Sequence, residues 1–123
     1  MSRILLIEDD IQVRSMLKKM LTKAAYEVED VSNGEEACEV LHVRGADLVV
    51  TDIFMPKKDG LETIFQFKQE NPGLKIVAIS GGAPGGSLNF LPLAESMGAD
   101  LVLKKPFSQK TFLNAVKKLL EQE

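Results

Sequence analysis

Asp52 ends the run Leu48-Val49-Val50-Thr51, and Glu8-Asp9 follow Arg3-Ile4-Leu5-Leu6-Ile7. Ser80 closes Lys75-Ile76-Val77-Ala78-Ile79, and Lys105 comes just after Ala99-Asp100-Leu101-Val102-Leu103. A short apolar run bounded by polar or turn residues reads as a strand buried on both faces of a sheet. In a parallel sheet all strand exits lie on one side, the edge where open α/β folds place their ligands. The spacing therefore gathers three carboxylates, one hydroxyl and one ammonium at a single shallow site.

Three carboxylates within ~6 Å raise one another's pKa unless a cation offsets them. A small all-oxygen ligand set suits Mg²⁺, which keeps several waters and often shares its site with a phosphate. A carboxylate can also act as nucleophile toward phosphorus, forming an acyl phosphate. Asp52 is the candidate nucleophile. Lys105 and the metal would neutralise the phosphoryl oxygens, and Ser80 could donate a hydrogen bond to one of them.

The elements that must position these groups follow from periodicity. After the first strand, a helix spans about Ile11 to Ala25, with Asp10 as N-cap and Val13, Met16, Leu17, Met20, Leu21 and Ala24 as its apolar stripe. Ile11 falls off that stripe and is expected at the surface. Tyr26–Val31 alternates, as an edge strand does. Ser32-Asn33-Gly34-Glu35 has capping-box spacing and opens a helix that stops at Gly45. The central strand, Asp47 to Thr51, follows. Asp59-Gly60 opens a helix using Leu61, Ile64, Phe65 and Phe67. After the fourth strand comes the loop Gly81–Ser87, then a short helix from about Leu88 to Met97 containing Pro92. Gly98 stops it. The fifth strand follows, and Ser108 caps a last helix with Phe112, Leu113, Val116, Leu119 and Leu120 inward. Five β-α units imply an α/β fold, a doubly wound five-stranded parallel sheet in the flavodoxin-like order 2-1-3-4-5.

Glu8-Asp9, Asp52 with Met55-Pro56 and Asp59-Gly60, Ser80-Gly81, Gly98-Ala99-Asp100 and Lys105-Pro106-Phe107 together resemble a response-regulator receiver domain of bacterial two-component signalling. The resemblance covers residues 1–123. It implies that Asp52 takes a phosphoryl group from a phosphohistidine on a histidine kinase or histidine phosphotransfer protein. It implies Mg²⁺ bound by Asp9, Asp52 and the Phe54 carbonyl, with Glu8 acting through a metal-bound water. Ser80 and Lys105 would contact the phosphoryl group, Gly81 would leave room for it, and the Lys105-Pro106 bond would be cis. Partner docking would involve Ile11, Val13, Met16, Pro106 and Phe107. Such a receiver promotes its own phosphorylation and dephosphorylation without being an enzyme in the ordinary sense. The resemblance also implies a downstream protein that reads its state, and a monomer or weak dimer.

The chain departs from the family pattern in two places. Val102 stands where such receivers often carry Tyr or Phe. The glycine-rich Gly81–Ser87 stretch with Pro92 suggests that the signal is read through this loop and the helix after it. Two other readings are an interaction module that works without phosphorylation, and a phosphohydrolase with an aspartyl nucleophile. The hydrolase usually needs a second acid two residues past the nucleophile, where this chain has Phe54.

The totals narrow the field. At 123 residues with net charge −3, the chain is one domain without the clustered positive field that nucleic acid requires. Lone Cys38 offers no internal disulfide and no zinc motif. No apolar run approaches the ~20 residues of a membrane span. The N-terminus lacks a signal-peptide layout, so the expected compartment is the cytosol. His42 is read as a surface residue, neither ligand nor phosphodonor.

Overall fold

In a computed structural model, which describes residues 2–53, 60–80 and 91–121, five strands alternate with five helices. In chain order these are β1 (Arg3–Ile7), α1 (Ile11–Lys23), β2 (Glu27–Val31), α2 (Gly34–Arg44), β3 (Leu48–Asp52), α3 (Gly60–Glu70), β4 (Lys75–Ser80), α4 (Leu91–Met97), β5 (Leu101–Lys104) and α5 (Gln109–Glu121). All strand pairs are parallel, and the sheet order is β2-β1-β3-β4-β5, as the alternation of units implied.

Successive strand residues point to opposite faces, so each unbroken apolar run divides between two cores. Ile4, Leu6, Leu48, Val50, Val77 and Ile79 pack with Leu17 and Leu21 of α1 and with Phe112, Val116 and Leu119 of α5. Leu5, Ile7, Val49, Ile76 and Ala78 face the other way, against Ala37, Ile64, Phe67 and Ala94 of α2 to α4. Each fully buried side chain of this size is worth about 1.5–3 kcal/mol of transfer free energy. The apolar pattern thus fixes both register and layering.

Local signals set the helix ends, with some corrections. Asp10 caps α1 by accepting from the Gln12 and Val13 amides. That helix stops at Lys23, so Ala24 is its C-cap and exposed, and Ala25 turns the chain at φ 71°. Met16 is 48 % exposed and Phe65 is 50 % exposed, so neither belongs to the core their apolar character suggested. The cap of α2 is Asn33, which accepts from the Glu36 amide, while Glu36 accepts from the Ser32 hydroxyl. The capping pair is therefore one residue later than Ser32–Glu35. Gly45 and Gly98 end their helices at positive φ, and a Cβ on Gly98 would come within 2.6 Å of the Lys68 stem. The expected N-terminal part of the fourth helix, before Leu91, lies outside the described residues, as does the Gly81–Ser87 stretch.

Candidate functional site

The register of the central strands brings the acids together. Ile7 stands opposite Thr51 in the β1–β3 ladder, so Glu8 and Asp52 are the next neighbours at the strand exits. Glu8 also continues the pairing with β2, its amide donating to the Val31 carbonyl at 3.1 Å. Glu8 is 2 % exposed and Asp52 is 7 % exposed, while Asp9 is exposed. One carboxylate oxygen from each of Glu8, Asp9 and Asp52 lies within 4.8 Å of the others.

Lys105 reaches this cluster from two strands away. Its amide donates to the Ser80 carbonyl at 2.7 Å, extending the β4–β5 ladder past its last pair. Its Nζ donates to Asp52 Oδ2 at 2.9 Å and to Glu8 Oε1 at 3.2 Å. The Lys105-Pro106 bond is cis. Ser80 is buried at the end of β4, one residue beyond Ile79, which pairs with Asp52. Phe54 and Gly81 lie outside the described residues, as do Met55 to Asp59.

The charges are unevenly matched. Burial, then repulsion from Asp52, pushes the Glu8 carboxyl from its ordinary 4.5 up to about 7, although Lys105 pulls the other way. Burial acts to lower the Lys105 pKa, but hydrogen bonds and attraction from Asp52 and Glu8 outweigh it and hold the ammonium above its usual range. Among the described residues, the buried Glu8 and Asp52 carboxylates and the exposed Asp9 are set against one ammonium. The pocket's donors are all oxygen and it opens to solvent at Asp9. That chemistry fits a small hard divalent cation.

Four of the five expected docking residues do come together. Val13, Met16, Pro106 and Phe107 line one groove of about 230 Å³ with Lys105. Ile11 is 68 % exposed, as its place off the stripe suggested, and does not line that groove. Val102 is partly buried against the α2–α4 core. His42 is exposed and its Nε2 lies 3.1 Å from Glu70 Oε2, far along the chain from the strand exits.

Nothing in the sequence pattern singles out Arg14, yet it touches the site's backbone. Its Nη1 donates to the Glu8 carbonyl oxygen at 3.0 Å, and its Nε lies 3.2 Å from Asp30 Oδ2. Lys18 takes the other Asp30 oxygen at 2.8 Å. Burial acts to raise the Asp30 pKa, but the bond and charge of Lys18, with help from Arg14, outweigh it and hold the carboxyl below its usual 3.8.

Comparison with known proteins agrees with this geometry. A family model described as "Response regulator receiver domain" matches residues 4–117. The chain belongs to that family. This receiver domain is 40 % identical over 120 residues to the response regulator receiver protein CpdR of Brucella abortus (strain 2308), covering 98 % of both chains. It is 33 % identical over 122 residues to the sensor kinase CckA of the same organism, covering 98 % of this chain but 13 % of that one. It is 31 % identical over 122 residues to the transcriptional regulatory protein CpxR of Escherichia coli (strain K12), covering 99 % of this chain and 50 % of CpxR. Among solved structures, Thermotoga maritima TrrA in complex with Mg(2+)-BeF superposes with a TM-score of 0.87 at 31 % identity, covering 97 % of this chain and 99 % of TrrA. A CheY-like receiver domain protein from Methanospirillum hungatei JF-1 gives 0.90 at 27 % identity, covering 98 % and 94 %. Receiver domains are the signalling switches of two-component systems; they bind Mg²⁺ at an acidic pocket and interact with histidine kinases. Neither the interaction-module nor the hydrolase reading is favoured by these matches. No helix among the described residues is long and apolar enough to cross a membrane.

Proposed function

We propose that this receiver domain, residues 1–123, is a phosphoacceptor switch whose nucleophile is Asp52. The observation that carries the reading is the Asp52 carboxylate set beside Glu8 and Asp9 and bonded to Lys105 at 2.9 Å. An Asp52 oxygen attacks the phosphorus of a phosphohistidine on a kinase or phosphotransfer protein. An O–P bond forms, the P–N bond breaks, and the imidazole leaves with the electron pair. Lys105 would follow the negative charge as it moves from carboxylate to phosphoryl oxygens. Glu8, Asp9, Asp52 and the Phe54 carbonyl would hold Mg²⁺, Glu8 through a bound water. When bound, that ion supplies charge neutralisation for the transferring group. Ser80 would hydrogen-bond a phosphoryl oxygen, and Gly81 would give it space. The domain would thereby speed its own phosphorylation and dephosphorylation.

The likeness to the receiver protein CpdR supports a switch whose state a downstream protein reads, and the cytosol is its proposed compartment. The groove lined by Val13, Met16, Pro106 and Phe107, with exposed Ile11 at the start of the same helix, is the proposed docking surface for the phosphodonor.

The test is incubation with a small acyl phosphate, with and without Mg²⁺, followed by intact mass measurement. One labile phosphate adduct is expected in wild type with Mg²⁺, and none in Asp52→Asn. An adduct of equal yield in Asp52→Asn would place the acceptor elsewhere. Absence of both adduct and Mg²⁺ binding in wild type would sink the reading.

A further inference from the structure

The loop that carries Glu8 and Asp9 is three residues long between β1 and α1. Asp9 is exposed, and two contacts hold the backbone just before it. The Glu8 amide donates to Val31, and the Glu8 carbonyl accepts from Arg14. A carbonyl and the amide that follows it share one plane. Fixing the Glu8 carbonyl therefore fixes the peptide that enters Asp9 and limits where the Asp9 carboxylate can point. Arg14 suits this task because its guanidinium is a rigid fork. One prong meets the Glu8 carbonyl while the Nε edge is held by Asp30, itself bonded by Lys18. The Arg14 amide also donates to Asp10 at 2.8 Å, so the first turn of α1 anchors the base of the fork.

We infer that Arg14, held by Asp30, is a positioning residue for the cation site: it sets the Glu8–Asp9 peptide so that the Asp9 carboxylate meets Glu8 and Asp52. This rests on the reading of Glu8, Asp9 and Asp52 as an Mg²⁺ site. The guanidinium never touches the ion and acts only through the loop.

A general electrostatic role predicts the opposite sign. Removing a cation near the pocket leaves it more negative, and Mg²⁺ should then bind more tightly. Losing an outer contact that orients a ligand typically weakens metal affinity by about tenfold or more. The direction of change therefore decides between the two.

The experiment measures the Mg²⁺ dissociation constant by calorimetry on the full chain, with the amide shifts of Glu8 to Asp10 followed by NMR and Tm recorded alongside. Arg14→Met keeps the apolar stem and removes the fork. Arg14→Lys keeps the charge but cannot bridge both partners. Both should bind Mg²⁺ about tenfold more weakly, with altered Glu8 and Asp9 amide shifts in the metal-free state. Leu119→Ala, a core variant on α5, should lower Tm and leave the Mg²⁺ constant within twofold. Unchanged or tighter binding in the Arg14 variants would overturn the inference, as would an equal loss in Leu119→Ala. If Arg14→Met does not fold, Arg14→Lys alone decides. Failure of wild type to bind Mg²⁺ would instead overturn the proposed site and this inference with it.

Discussion

Asp30 and Glu8 lie near the ends of adjacent strands, yet the molecule treats them in opposite ways. Asp30 has two cations for one carboxylate, Lys18 and Arg14, and its carboxyl is held below the ordinary range. Among the described residues Glu8 and Asp52 share a single ammonium, and the Glu8 carboxyl is pushed up to about 7. Solvent sharpens the contrast: the Asp30 side chain is 25 % exposed, whereas Glu8 is 2 % exposed. The difference shows that residue type alone does not define a charged site. The ratio of partners and the access of water do. The Asp30 cluster has its charges matched within itself. The Glu8–Asp52 pair has, among the described residues, one ammonium for two buried carboxylates, a condition that a bound cation would relieve.

The largest effect on this contrast is expected from Lys105→Met, which takes away the only cation bonded to the buried pair among the described residues. In metal-free protein at pH 8 it should cost about 3 kcal/mol in urea unfolding, and clearly less at pH 5.5, where Glu8 can take up a proton. Equal losses at the two pH values would show that the two carboxylates do not compete for one charge.

Next in size is the pH dependence of the metal-free wild type. A raised Glu8 pKa means that the folded state binds the proton more tightly than the unfolded chain. The stabilisation is complete below 4.5 and is lost as pH rises through about 7. The loss should be on the order of 2 to 3 kcal/mol across that window. Glu8→Gln should flatten the profile, and saturating Mg²⁺ should remove the slope by favouring the charged form. A wild-type profile that rises across this window would contradict the comparison.

The smallest effect belongs to Asp30, and its sign is reversed. Its lowered pKa gives stability that is present above 3.8 and is lost as pH falls through the folded-state midpoint. Asp30→Asn should cost about 1 kcal/mol or less at pH 7 and nothing in strong acid, read from denaturant midpoints. A cost above that of Lys105→Met would invert the ranking.

The sheet and the acidic site were legible because buried parallel strands announce themselves as apolar runs, and the groups at their exits must converge. Ile4 to Ile7 and Leu48 to Val50 are 1 % exposed or less, as runs covered on both sides should be. Other features were harder to read. Phe65 is apolar but sits roughly 120° around α3 from the line of Ile64 and Phe67, so its position overrules its type. The end of α1 carries no glycine; Ala25 takes a left-handed conformation instead, and the expected boundary falls two residues late. Arg14 was invisible for a different reason. Its partners, Asp30 on another strand and the carbonyl of Glu8, are known only once β1, β2 and α1 have been packed together.

The opposite orientation of neighbouring strand residues has a bearing on what keeps the pocket accurate. Leu48 and Val50 face α1 and α5, Val49 faces the other core, and Asp52 arrives at the exit in step with them. A slip of one position would hand the exit to Thr51 or Ile53 and bury the wrong greasy groups on both sides at once. The alignment of the acids is thus policed by uncharged side chains of the two buried cores. The volume kept between the layers is therefore a condition of the site as well as of stability.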